Sequence, residues 1–239
     1  MLKLVRILQS VDLKGLGMQA ALAKFIANPS FPCVMAKSLM SKGYAEHPTV
    51  NSANPAVAAK EVLEKIYKFV DHYRADPKNL SSFIVSFDHP SLRQFGRFEE
   101  FFWEFLKLLD CADKANFSSD SRVSSDPSAA DFSFSIKSEA FFMLVLHPQS
   151  PRMARQFEVP TLVFNAHQQF EDLRTKGLFH KVRDLIRKRD TALQGFVNPM
   201  VQDFGTQSEV FQYTGKTYPV QSKCPFQRAK ALFKQTLLS

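Results

Sequence analysis

The sequence predicts an α+β protein in which helices pack on a mainly antiparallel sheet, and residues 1–239 form a single domain. Strand and helix patterns follow one another without the regular alternation that a parallel sheet requires. Two apolar segments, at 132–136 and 140–146, are joined by a short turn, which is typical of a β-hairpin. The strands before and after the polar loop at 118–131 are expected to pair with each other, which favours one domain over two.

The composition is that of a globular protein with an unusual number of phenylalanines. Of the 239 residues, 45% are hydrophobic, 23% are charged and 24 are Phe. So many phenylalanines indicate either a large aromatic core, which is the commoner case, or an apolar cavity for a flat ligand. The formal net charge of +8 leaves anionic ligands and nucleic acid as partner classes.

Much of the positive charge lies between Arg174 and Arg189, where seven residues are basic and one, Asp184, is acidic. A solvated helix face is the usual interpretation of such a run. No zinc-finger spacing, aromatic RNA-binding motif or Gly/Arg-rich tail accompanies it. We therefore do not expect nucleic acid as the partner.

The cysteines and the apolar segments predict a cytoplasmic protein. Cys33, Cys111 and Cys224 are odd in number and far apart, so they do not indicate a disulfide framework. Charges interrupt the N-terminal stretch, which lacks the cleavage site of a signal peptide. No segment reaches the ~20 apolar residues of a membrane span, so no membrane association is expected.

The first third of the chain predicts mainly helix. Residues 1–28 have an amphipathic helical pattern, which Pro29 ends. The segment 31–36 has the pattern of a turn leading into a strand, and 44–48 that of a second short strand. Asn54 followed by Pro55 marks the start of a helix of roughly five turns, and Asp76-Pro77 marks its end.

The middle of the chain predicts a buried strand, a buried helix and the hairpin. Residues 83–87 are β-branched and aromatic, as in a strand. Ser91 is expected to cap a helix over 92–109, which is apolar on more than one face and so lies deep in the core or beneath a ligand. The polar segment 118–131 is a long loop, either a linker or an active-site flap.

The last third predicts one more strand, at 161–164, followed by helices at 166–175 and 178–189. The Gly-, Pro- and Gln-rich tail at 193–225 is expected to be irregular and anchored by its aromatic residues. Residues 227–237 are expected to form a final basic helix.

His147 is a candidate ligand because it ends the apolar run 140–146 and precedes Pro148. A side chain at the end of a central strand is held rigidly and can face a cleft. Neutral imidazole binds metals, and a heme iron accepts it as an axial ligand. The alternative, a histidine that bonds to loop backbone, is the commoner one.

His167, Glu171 and Arg174 lie at i, i+4 and i+7, hence on one helix face. Glu171 can orient His167, or the two can bind a metal together. A plain surface pair is the simpler interpretation. No HExxH motif or telling third carboxylate supports a zinc or di-iron enzyme.

Two other residue types suit an anionic cofactor or a heme. Arg152 and Arg155 carry guanidinium groups that match carboxylates, although a basic surface loop is an equal alternative. Cys224 precedes a proline, and Cys33 follows one. A thiolate can ligate heme, but a buried inert cysteine is more common.

The order of these motifs resembles the YqcI/YcgG family over nearly the whole chain. The matching segments are Phe31-Pro32-Cys33, Phe132-Ser133-Phe134-Ser135, Leu146-His147-Pro148, Ser150, Arg152, Ala154-Arg155, Phe164-Asn165, His167, Gln169-Phe170-Glu171, Arg174, Ile186-Arg187, Arg189-Asp190, Asn198-Pro199-Met200, Asp203, Gly205, Ser208-Glu209, Gln212-Tyr213, Gly215 and Cys224-Pro225-Phe226.

The resemblance implies a heme-binding protein, and characterised members look like heme-dependent N-oxygenases that hydroxylate the guanidine nitrogen of arginine-like amino acids. It thereby implies heme b, a small-molecule substrate and an electron donor, with a homodimer left open. This sequence departs from the family pattern at Pro151, and at Ala166 and Gln168 as well. These departures bear on the substrate more than on the heme.

On this resemblance we assign His147 as the iron ligand, with His167 as the alternative and Cys224 third. Arg152 and Arg155 are expected to hold the heme propionates or the carboxylate of the substrate. Glu171 and Arg174 are expected to be catalytic, Glu171 by orienting His167 or by pairing with a cationic guanidine. Two other functions stay open: a non-catalytic heme carrier or sensor, and a basic nucleic-acid-binding module without heme.

Overall fold

The strand patterns assemble into one mixed sheet in the computed structural model, which describes residues 13–77, 80–200, 202–219 and 222–227. The strands in these ranges are β1 (Tyr44–Glu46), β2 (Thr49–Val50), β3 (Ser81–Phe87), β4 (Phe134–Ile136), β5 (Glu139–Leu146) and β6 (Thr161–Ala166). Their spatial order is β1-β3-β6-β5-β4, and β2 also pairs with β3. The two short strands run parallel to β3, whereas β3–β6, β6–β5 and β5–β4 are antiparallel.

Helices cover both faces of this sheet, which confirms the predicted α+β class. They are α1 (Leu13–Ala27), α2 (Val34–Lys42), α3 (Pro55–Ala75), α4 (Phe95–Lys114), α5 (Gln168–Thr175) and α6 (Phe179–Gln194), with 3-10 turns at Pro90–Arg93, Met153–Arg155 and Glu209–Gln212. Within the described ranges, no helix combines the length and the apolar character needed to cross a membrane.

One face of the sheet packs against α3 and α4 as an aromatic core. Alternate residues of the central strands point to this face, because side chains alternate along a strand. Phe83 and Phe141 each lie edge-on to Phe164 and tilted against Phe69 of α3. These rings are completely buried. Much of the phenylalanine excess therefore belongs to a large aromatic core, which is the commoner of the two interpretations of the composition.

The opposite face carries a smaller apolar cluster and a cavity. The intervening strand residues, such as Ile84, Leu146 and Val163, pack with Leu22 and Ile26 of α1. Helices α2, α5 and α6 complete this layer without filling it. The sheet therefore separates a solid core from a hollow one.

Two of the predicted elements are wrong in type or in start. The segment 31–36 does not lead into a strand, because Cys33 caps α2 and its Sγ accepts a hydrogen bond from Ala36 N at 3.4 Å. The helix predicted over 92–109 starts at Phe95, since His89 instead caps a preceding 3-10 turn. Short apolar runs fit either structure, so the local cap decides between them.

The other predicted elements within the described residues are confirmed in type, although the strand predicted over 44–48 ends at Glu46 and Ala166 ends β6 instead of starting α5. Asn54 caps α3 through its side chain, and the hairpin turns at Lys137 and Ser138, which both have positive φ angles. The loop at 118–131 is irregular, but none of its described residues lines the cavity, so it is not a flap over it. The predicted terminal helices lie outside the described residues, except for α1 and Gln227.

Candidate functional site

The cavity on the hollow face has a volume of about 360 Å³. Its walls are mainly apolar, and Phe142, Leu144 and Val163 of the sheet form its floor. Helices α1 and α2 contribute further apolar side chains, among them Leu22 and Leu39. A concave apolar space with a few polar groups is the usual form of a small-molecule site.

Two candidate residues on the cavity wall, His167 and Arg152, lie at opposite ends of it. The register pairs Phe141 with Ala166 and Leu146 with Thr161. The first and last pairs are five residues apart along each strand, which corresponds to about 17 Å. His167 directly follows the last residue of β6, and the loop of Arg152 follows β5. The antiparallel pairing therefore places His167 at one end of the cavity and Arg152 at the other.

Helix α6 runs along the cavity between these ends. At its start, the Phe179 ring lies 4.1 Å from Arg174 Cζ, and near its end Asp190 Oδ2 lies 2.5 Å from Arg152 Nη2. Eleven residues of helix separate the two contacts, or about 16 Å, which agrees with the length of the sheet beneath.

His167 is a buried histidine with one nitrogen in use. The residue is 5% exposed and lines the cavity. Its Nε2 lies 3.2 Å from Glu171 Oε1, and its ring packs edge-on against Phe204 at 4.5 Å. Its Nδ1 is buried and has no hydrogen-bond partner among the described residues. A carboxylate at Nε2 favours the tautomer that leaves the lone pair on Nδ1.

Burial lowers the pKa of His167, because the charged ring loses hydration, and this effect outweighs the opposing pull of Glu171. The cation of Arg174 lowers the pKa of His167 further. The ring is therefore neutral at physiological pH, which is the form that binds metals.

Glu171 and Arg174 form one hydrogen-bonded group with His167, as their helical spacing predicted. Arg174 Nη1 donates to the same Glu171 oxygen that faces His167 Nε2. Oε1 of Glu171 therefore contacts both His167 and Arg174, and Glu171 does not itself line the cavity, whereas Arg174 does. This arrangement suits Glu171 to orient His167 rather than to bind a substrate.

At the opposite end, Arg152 and Arg155 both line the cavity. Arg152 is 5% exposed and pairs with Asp190, while its Nη1 is buried without a partner in the part of the chain that the structure describes. Arg155 Nη1 donates to the carbonyls of Gln212 and Tyr213 at 2.8 and 2.9 Å. The alternative of two cations in a surface loop therefore does not hold.

His147 lies outside the cavity, in the packing between β5 and α4. It is completely buried, its Nε2 bonds to Leu92 O at 3.0 Å, and its Nδ1 accepts from Gln149 N at 3.0 Å. Phe95 and Phe98 pack against the ring. Burial lowers the pKa of His147. Both nitrogens are occupied by backbone, so the commoner sequence interpretation describes this residue and no nitrogen is free for iron.

Of the two candidate cysteines, only Cys33 shares the cavity wall with His167. Cys224 is buried in the aromatic core, where its Sγ donates to Pro127 O at 3.5 Å, and it does not line the cavity. Cys33 does line the cavity, and burial raises the pKa of its thiol. Among the described residues, no cluster of three or more His, Cys, Asp or Glu side chains could hold a metal ion.

The basic run between Arg174 and Arg189 is divided between solvent and the cavity, because its lysines are exposed and its arginines are half-buried. Arg183 pairs with Asp203 and Asp184, and Arg187 lies 3.6 Å from Asp203. Arg174, Arg183 and Arg187 line the cavity. Asp184 and Asp203 offset the positive charge of these arginines, which allows the basic helix to pack beside an apolar cavity.

Glu209 is the wall residue that the sequence analysis missed. It is 4% exposed, and its Oε1 accepts from Tyr213 Oη at 2.5 Å and from Ser133 Oγ at 3.1 Å. Burial raises the pKa of this carboxyl to about 8. The only sequence signal was its position within the irregular tail, in a motif shared with the family pattern.

Comparison with known proteins agrees with the motif order. A protein of Bacillus subtilis (strain 168), described as uncharacterized protein YqcI, is 25% identical over 214 residues, which cover 86% of this chain and 84% of that protein. No solved structure matches the chain. The model of the YqcI/YcgG family matches residues 22–227, so this chain belongs to the YqcI/YcgG family.

Proposed function

We propose that this chain binds heme b in the cavity, with His167 as the iron ligand. The observation that carries the proposal is a neutral, buried histidine on the cavity wall whose Nε2 faces Glu171 and whose Nδ1 has no partner among the described residues. The apolar floor formed by residues such as Phe142 and Leu144 suits a flat macrocycle. This assignment replaces His147, whose nitrogens are both bonded to backbone.

We further propose that the protein is an N-oxygenase acting on a guanidine or amine nitrogen of an arginine-like amino acid. Heme iron, when bound, supplies the activation of dioxygen or peroxide. The residues of this chain would hold the iron, exclude water and bind the substrate. This part of the proposal is supported by the resemblance to characterised family members rather than by the cavity alone.

Glu209 is our candidate for meeting the cationic nitrogen of such a substrate. The other acids on the wall, Asp190 and Asp203, already pair with arginines. Glu209 has no basic partner in the described ranges, and its carboxyl accepts from Tyr213, Ser133 and the backbone of Phe134. Its carboxyl would ionise as the cation enters, because an adjacent positive charge lowers the pKa of an acid.

An absorption spectrum of protein supplied with heme tests the binding proposal. We expect a Soret band in the wild type, a lost or shifted band in His167→Ala, and a wild-type spectrum in His147→Asn, which keeps an amide for hydrogen bonding. Circular dichroism on the same samples shows that each variant is folded. Wild-type protein that never acquires the band would refute heme binding, and an unchanged His167→Ala spectrum would refute the ligand.

Turnover separates an enzyme from a heme carrier or sensor that uses the same cavity. Heme-loaded protein with reductant, dioxygen and L-arginine is expected to yield a product heavier by one oxygen, which mass spectrometry detects. A spectrum that does not respond to arginine-like amines, together with no product, would favour the carrier. The nucleic-acid module is disfavoured, since Arg174, Arg183 and Arg187 line the cavity and pair with nearby acids.

A further inference from the structure

We infer that the Arg152 end of the cavity is a carboxylate-binding site, which takes the acid group of a ligand whose body lies along the apolar floor. The contacts of Arg152 and Arg155 support the existence of the site. Only the identity of the ligand rests on the proposed function.

Arg152 has a donor that nothing in the described chain satisfies. Its side chain is 5% exposed, one end of its guanidinium bonds to Asp190 at 2.5 Å, and Phe196 covers the group at 5.0 Å. The remaining Nη1 is buried and unpartnered among the described residues. Buried donors are nearly always satisfied, so this nitrogen marks the place of a missing acceptor.

Arg155 places a second guanidinium group at this end of the cavity and has no carboxylate partner of its own among the described residues. Its Nη1 bonds to two backbone carbonyls, and no carboxylate within the described residues pairs with it. Burial, and then repulsion from Arg152, lowers the pKa of Arg155 to about 10. Asp190 alone therefore faces two guanidinium groups, and an entering carboxylate would supply the missing charge with well-matched geometry.

The tail backbone packs against both arginines at Gly215. This residue has a φ of +77°, and a Cβ there would lie 3.3 Å from Arg155 Cδ and Nη1 and 3.5 Å from Arg152 Cγ. A glycine is therefore needed both for the backbone angle and for the close approach. The tail thus holds both guanidinium groups in place, as expected for a preformed site.

The carboxylate has two possible sources, a heme propionate and an amino-acid substrate, which matched probe pairs distinguish. Protoporphyrin IX is compared with its dimethyl ester, which lacks both acids. L-arginine is compared with agmatine, its decarboxylated form, on heme-free and heme-loaded protein. Binding constants from fluorescence quenching and calorimetry give the preference for the acid in each pair.

We expect Arg152→Gln to reduce the preference for the acid about tenfold in at least one pair, since a charge-assisted hydrogen bond is lost. Asp190→Asn should raise the same preference, because it removes the internal competitor. A purely structural Arg152–Asp190 pair predicts no such gain. Arg183→Gln is the matched control, as Arg183 lines the same cavity but already has Asp184 and Asp203 as partners.

A reduced preference in the porphyrin pair identifies a propionate, and one in the arginine pair identifies a substrate. Arg152→Gln that leaves the preference unchanged in both pairs would overturn the inference. If no porphyrin binds, heme binding fails, while the arginine pair on heme-free protein still tests the carboxylate site. The two failures are therefore distinguishable.

Discussion

The two faces of the sheet are built from the same strands but have opposite properties. Against α3 and α4, buried aromatic rings dominate the packing, and α4 alone buries ten residues. Against α1, α2, α5 and α6, the strands present Ser82 and Asn165 among aliphatic residues, and α6 buries none. One face therefore packs as an aromatic core that stabilises the fold, while the other borders the cavity.

This division explains why function is expected on the weaker face. An unpaired buried donor destabilises a fold by about 1–3 kcal/mol, and a dense core on the other face can offset that cost. His167 Nδ1 and Arg152 Nη1 both lie on the cavity side, and both lack partners among the described residues. Tyr73 Oη also lacks a partner among the described residues, but it lies in the aromatic core, whereas His167 and Arg152 line the cavity, where a ligand can complete their hydrogen bonding.

A leucine on each face gives the strongest test of the comparison. Leu162 is fully buried in the aromatic core, whereas Leu144 on the adjacent strand borders the cavity. We expect Leu162→Ala to reduce the free energy of unfolding by about 3–5 kcal/mol and Leu144→Ala by about 1–2 kcal/mol, because Leu144 has fewer contacts to lose. Denaturant unfolding followed by circular dichroism measures both, and equal losses would contradict the comparison.

Glu209 lies where the two faces meet, and its titration gives the next largest effect. Its pKa rises from an ordinary 4.5 to about 8, so the folded state keeps a proton that the unfolded state releases. Stability should therefore fall as pH rises from about 5 to 8, by roughly 3 kcal/mol from this group. Glu209→Gln, measured by unfolding at several pH values, should lose this slope.

Ser133→Ala is a useful companion to that variant, since it removes a donor to Glu209 without changing charge. It should keep the slope and raise the pKa of Glu209 further, because one hydrogen bond to the carboxylate is lost. A slope that survives in Glu209→Gln would show that another group titrates in this range.

The elements of the face packed against α3 and α4 were the more predictable from the sequence. Alternating and continuous apolar patterns identified the hairpin, β3 and β6, and the Asn54–Pro55 signal located α3. These features depend on local periodicity and caps, which a single sequence contains. Where a short run such as 31–36 fits two structures, the side-chain cap at Cys33 decided for helix, and periodicity could not show it.

The cavity face was predictable only in part. The i, i+4, i+7 spacing correctly grouped His167, Glu171 and Arg174, because helical geometry is local. The choice between His147 and His167 depended on the strand register and on Leu92, which is 55 residues from His147 in the chain. Glu209 was missed for a similar reason, since Ser133 lies 76 residues away.

The smallest effect concerns how α6 is held over the cavity. Arg189 Nη2 donates to the carbonyls of Pro29 and Phe31, in the turn between α1 and α2, at 2.7 and 3.1 Å. Arg189→Met should lower the free energy of unfolding by about 1 kcal/mol or less, since these bonds are partly exposed. Amides of α6 should nevertheless exchange hydrogen about three- to tenfold faster, because a helix held by polar contacts opens locally.

The neighbouring exposed Lys188 supplies the matched control, as Lys188→Met should leave exchange in α6 unchanged. Amides of α3 and α4 should be unaffected in both variants, since a packed aromatic core opens only with global unfolding. Acceleration across both faces would mean that the sheet does not separate two regions of different stability. Acceleration confined to α6 and the α1–α2 turn would show that the layer over the cavity opens locally while the aromatic core stays closed.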